Sequence, residues 1–201
     1  MLISNDIHTE IPRVFMDPAR TYPDNRRPFL YLLRRDLTTL YGPEDSVPDL
    51  SKLKAPLLTA LGVMIGLELL AKLRIGKHEA TFEDLESFMR DICKLPVDQA
   101  TALAQFRHAV AHGYRLGATR RKDQQRYSFA LSDVISAASP ITEIKPLEFT
   151  VNLWALKKLF VAAIKGYRAI LEADFDLQKK FTVCLANLGE CQIGRNTARL
   201  S

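Results

Sequence analysis

The residues best suited to chemistry lie within ten positions of one another, in Gln105-Phe106-Arg107-His108-Ala109-Val110-Ala111-His112-Gly113-Tyr114. At helical spacing, Leu103, Phe106 and Val110 mark a core side and Arg107 stands on its shoulder. Gln105, His108 and His112 fall opposite, with the two histidines one turn apart. Gly113 is expected in the C′ position, ending the helix. The free carbonyls of such an end favour an imidazolium. Imidazoles accept or donate a proton near neutral pH, and a guanidinium fork holds phosphate oxygens and the charge that develops on them. This set suits phosphodiester chemistry.

The charge of the chain points to the same place. Its 201 residues carry 28 Lys and Arg against 23 Asp and Glu, a formal charge of +5. Residues 107–126 hold Arg107, Arg115, Arg120, Arg121, Lys122 and Arg126 against Asp123 alone, which equals the whole excess. The composition is that of a globular chain, which excludes collagen-like, mucin-like and long disordered classes.

The elements that must position these residues can be read from periodicity. Four prolines in residues 1–28 predict an irregular or partly ordered N-terminal arm. Phe29, Leu32, Leu33, Leu37, Leu40 and Tyr41 predict a helix that Gly42-Pro43 stops. A second helix, apolar nearly all round, runs from about Pro56 to Gly76 and should lie at the centre. Its Gly62-x-x-x-Gly66 permits close approach by a neighbour. Thr81, with Asp84 three residues on, caps a third helix striped by Leu85, Phe88, Met89 and Ile92. The fourth covers about Val97 to Ala111. The period then changes to two. Tyr114, Leu116 and Ala118, then Tyr127, Phe129 and Leu131, predict a β-hairpin with a basic tip, and Leu147, Phe149 and Val151 a third short strand. Asn152 caps a long helix, and a last helix follows around Phe175 to Leu188. The reading is a mainly α fold: a bundle of five to six helices with a hairpin or three-strand insertion, about 114–151, after the fourth. One domain spans 29–188, followed by a frayed tail, 189–201.

Arg107-x-x-x-x-His112 at a helix end resembles the R-x4–6-H motif of the HEPN superfamily. Where that family often has asparagine after the arginine, this chain has His108. The supporting pattern is similar too: an apolar helix with Gly66-Leu67-Glu68-Leu69-Leu70-Ala71-Lys72, an amphipathic helix, then the motif helix followed by Gly113-Tyr114. The resemblance covers about residues 29–115, plus the helix from Asn152. It implies a homodimeric, metal-independent endoribonuclease that leaves a 2′,3′-cyclic phosphate and a 5′-hydroxyl. His112 would be the acid/base, Arg107 the phosphate ligand, and His108 an orienting or second proton-transfer group. Glu68 would orient Arg107 if their helices pack, and Tyr114 would support the site. Many family members are non-catalytic, so a dimeric interaction or nucleotide-binding module, such as a toxin–antitoxin or regulatory component, is the alternative.

The residues allow plainer roles. Arg107 could serve only as the salt-bridge partner of Glu68, which needs one in an apolar helix. The histidines could be solvated. Arg115, Arg120, Arg121, Lys122 and Arg126 could be a solvated loop or a sequence-blind contact to RNA backbone. His108-x-x-x-His112 lacks a third metal ligand, and no P-loop, dinucleotide fingerprint or nucleophile elbow occurs, so no metal or cofactor is expected. Trp154 and Tyr167 read as core. Three cysteines (Cys93, Cys184, Cys191) without metal-site spacing predict reduced thiols. Neither a signal peptide nor a spanning helix is read from the pattern, which predicts a cytoplasmic protein without membrane partners.

Overall fold

The computed structural model describes residues 7–20, 26–44, 46, 49, 53, 55–113, 116–120, 123–188 and 190–192. Its centre is a helix without a polar face, α3 (Pro56–Ile75), with Ala60, Met64, Leu67, Leu70 and Ala71 wholly buried. Pro56 opens it at a position where a missing N–H costs nothing, and Gly76, at φ 76°, ends it. Around it pack α2 (Phe29–Tyr41), α4 (Phe82–Asp91), α5 (Val97–Gly113), α6 (Leu153–Ala173) and α7 (Phe175–Leu188). The Gly62-x-x-x-Gly66 face is where neighbours come closest. A Cβ at 66 would lie 2.5 Å from the Phe160 ring, and one at 62 would lie 2.9 Å from Leu37 Cδ2. By length and composition α3 could cross a membrane, but 67% of its apolar window is buried inside the fold.

Local signals set most boundaries. Thr81 and Asp84 form a reciprocal capping box at the start of α4. The Asn152 side chain accepts from Ala155 N at 2.9 Å and caps α6, while its Nδ2 donates to Val134 O at 2.8 Å. α5 runs through Gly113 itself.

Between α5 and α6 lies a four-stranded sheet, ordered β2 (Gly117–Thr119), β3 (Arg126–Ser132), β5 (Glu148–Asn152), β4 (Ile141–Lys145). The expected hairpin is present, with Ala118 opposite Tyr127. The strand around Phe149 is also present, running parallel to β3. The expected three strands become four. In β4 only Ile141 is buried, so this edge strand has no alternation to read. One face of the sheet carries Tyr127, Phe129, Phe149 and Val151 inward, and Phe129 meets Phe106 of α5 edge-on at 5.3 Å.

Part of the N-terminal arm, read as irregular, is helical. Residues Ile7–Val14 form a helix, α1, because Ile7, Ile11 and Val14 share a face that docks on the core. Pro12 removes only one backbone donor from it. Phe15, next in the chain, packs on Tyr167 and Phe181 at 6.1 and 6.2 Å. With α1 the described residues hold seven helices rather than five or six. Nor is the whole tail free. Strand β1 (Arg26–Pro28) pairs antiparallel with β6 (Glu190–Gln192), joining the two ends of the chain. A pairing this distant leaves no local trace in sequence.

Candidate functional site

The last two turns of α5 present Arg107, His108 and His112 beside α3, which supplies Glu68. Arg107 Nη2 donates to Glu68 Oε2, and Lys72 Nζ lies 3.0 Å from Glu68 Oε1. The packing of these two helices thus brings Arg107 and Glu68 together. Arg107 Nη1 lies 3.2 Å from His112 Nε2. A guanidinium has no acceptor, so this bond takes the tautomer with a free lone pair on Nε2 and the proton on Nδ1. The rings of His108 and His112 lie 4.7 Å apart, tilted by 51°.

Burial grades this cluster outward. The Glu68 side chain is 11% exposed and that of Arg107 23%, whereas both histidines face solvent. A carboxylate set this deep is costly without partners, and here it has two cations. Arg107 Nε is buried with no hydrogen-bond partner among the described residues. The guanidinium is held at Nη2 by Glu68, and Nη1 faces His112. A recess of about 80 Å³ between α3, α4 and α5 is lined by Glu68, Thr81, Phe82, Arg107 and His108.

The basic segment is more mixed. Arg120 Nε donates to Asp123 Oδ1 at 2.9 Å, and Nη2 donates to Gln125 Oε1 at 3.0 Å. The guanidinium holds the Asp123 carboxyl down at about 2. The charge of Arg120 is thus largely matched within its own loop. Arg126 stands exposed at the start of β3, opposite Thr119. Tyr114, Arg115, Arg121 and Lys122 lie outside the described residues.

Gln105 does not sit on an open face with the histidines. It is 4% exposed, because the sheet covers that side of α5. It lines a cleft of about 620 Å³ together with Phe82, His108 and Arg120. The sequence carried a signal for this: Ala100, Leu103, Ala104, Phe106, Ala109 and Val110 leave α5 no broad polar face, as expected of a helix covered on both sides.

The chain matches no protein-family model, no curated protein and no solved structure.

Proposed function

We propose that this chain is a HEPN-like, metal-independent endoribonuclease acting through Arg107, His108 and His112, as a cytoplasmic homodimer. One observation carries the reading. At an exposed helix end, Arg107 joins an inner carboxylate to His112, whose ring lies against a second imidazole. A phosphate oxygen can replace His112 as the acceptor for Arg107 Nη1, freeing Nε2 as a base. His112 then takes the 2′-hydroxyl proton as the 2′-oxygen bonds to phosphorus. The bond from phosphorus to the 5′-oxygen breaks, and that oxygen takes a proton from the imidazolium of His108. The products are a 2′,3′-cyclic phosphate and a 5′-hydroxyl. Arg107 holds the charge that grows on the phosphoryl oxygens, and Glu68 keeps it aimed. Arg115, Arg121, Lys122 and Arg126 would add sequence-blind, salt-dependent affinity for RNA backbone.

The test is cleavage of mixed RNA in EDTA. Wild-type protein should cleave, and His112→Ala should lose at least a hundredfold in rate with an unchanged melting temperature, since His112 is exposed. No cleavage by wild type refutes the catalytic reading, and equal cleavage by both forms assigns the activity to something other than this site.

A second reading has its own observation. Glu68 is satisfied by Arg107 and Lys72 together, the arrangement that a purely structural ion network requires. On that reading the protein is a non-catalytic dimeric module that binds a nucleotide or a protein partner, such as a toxin–antitoxin or regulatory component.

A further inference from the structure

The cleft beside His108 contains a polar group that the fold leaves unused. Gln105 is only 4% exposed, and neither of its amide atoms is among the buried unpaired ones, so the amide reaches the solvent of the cleft. The amide, so placed, exchanges water for the polar groups of whatever enters the cleft. It lines the cleft of about 620 Å³ together with Phe82, Glu83, Glu86, His108 and Arg120. Glu86 is held in place there, accepting from Thr101 Oγ1 at 2.7 Å. Phe82 offers a partly buried aromatic ring. The volume is in the range that holds a small organic ligand.

We propose that this cleft is a nucleobase pocket that takes adenine next to the scissile phosphate. The inference rests on reading Arg107 and His112 as the phosphate-directed site, because His108 belongs to both. An amide is the side chain that reads adenine by two bonds, its oxygen accepting from the 6-amino group and its nitrogen donating to a ring nitrogen. The second amino proton has an acceptor in Glu83 or Glu86. These carboxylates only accept: they take a proton from the 6-amino group of adenine, they oppose the 6-oxo group of guanine in that pose while accepting from its N1–H and 2-amino group in another, and uracil offers them N3–H alone. Phe82 supplies a face for stacking, which is stronger for a purine than for a pyrimidine.

The test is titration of the full chain with AMP, GMP, CMP, UMP and ribose 5-phosphate, followed by calorimetry. AMP should bind at least tenfold tighter than UMP or ribose 5-phosphate, with GMP and CMP between. Gln105→Leu should weaken AMP about tenfold, as expected for loss of a two-bond contact. Its melting temperature should stay close to that of wild type, because the amide it removes is hydrated in the cleft rather than part of the packed core. Phe82→Leu is the second variant, and should also weaken AMP about tenfold by removing the stacking face. AMP and UMP binding equally, GMP binding as tightly as AMP, or both variants binding AMP like wild type would each overturn the assignment. Those results leave the phosphate reading standing if RNA is still cleaved in a His112-dependent way. Loss of that reading shows instead as absent cleavage whatever the nucleotide affinities.

Discussion

Arg107 contacts both Glu68 and His112, and two substitutions separate its ion pair from the proposed phosphate contact. Its side chain and that of Glu68 are 23% and 11% exposed, so their ion pair is neither fully buried nor on the surface. Removing one partner of a fully buried pair costs about 3–5 kcal/mol, whereas an exposed pair contributes about 0–1 kcal/mol. Lys72 stays 3.0 Å from Glu68 and partly offsets the loss. Arg107→Ala should therefore cost about 2 kcal/mol, between those limits. At about 2–4 °C per kcal/mol for a chain of this length, melting should fall by about 4–8 °C. Arg107→Lys restores a cation beside Glu68 but has no fork to reach Glu68 and His112 at once. It should recover most of the melting temperature while RNA cleavage stays down about a hundredfold, the usual effect of losing one donor to a developing anion. Both quantities come from one set of samples, by thermal denaturation and by gel assay of RNA in EDTA. Arg107→Ala melting like wild type would refute the energetic argument. Arg107→Lys cleaving like wild type would refute the role of the fork.

Other expectations follow from the packing and from buried groups. Gly66→Ala should destabilise by about 1–3 kcal/mol, because its Cβ meets the buried Phe160 ring at 2.5 Å. Gly62→Ala meets only the end of Leu37 and should stay within about 1 kcal/mol, as denaturant midpoints will show. Asn152→Ala removes the cap of α6 and should cost about 1–2 kcal/mol without changing RNA cleavage. Burial pushes the Cys93 thiol up to about 12 and Cys184 up to about 11, from an ordinary value near 9. The folded state then holds these protons more tightly than the unfolded one. Stability should be full below about pH 9 and fall as pH rises toward 11 and 12. Buried Tyr41 and Tyr167, also raised, act in the same direction. A urea midpoint that holds steady or rises between pH 9 and 10.5 would contradict this.

Much of this molecule could be read locally. Capping by Thr81 and Asn152, the stop at Gly76 and the period-two runs around Ala118, Tyr127 and Phe149 mark elements that the structure contains. Caps and periodicity act within a few residues, so the sequence carries them directly. The spacing of Arg107, His108 and His112 was likewise enough to place them together at one helix end. Where reading failed, the missing term was a distant partner. Four prolines suggested an irregular arm, but α1 gains its stability from docking Ile11 and Val14 on the core. The edge strand β4 exposes all but Ile141 and so has no pattern of its own.

Sequence alone thus determined which residues could do chemistry and the helix end that presents them. It also carried the need of Glu68, in an apolar helix, for a cation. Only the tertiary structure decided that Arg107 answers it and which faces of α5 stay open. The packing of α3 on α5 set Arg107 on Glu68, to which Lys72 adds from one turn on in the same helix, and the sheet over α5 left Gln105, expected on an open face, only 4% exposed and lining a cleft. The physical reason is range. Helix periodicity fixes the direction of a side chain about its own axis, while burial depends on what another part of the chain lays over it.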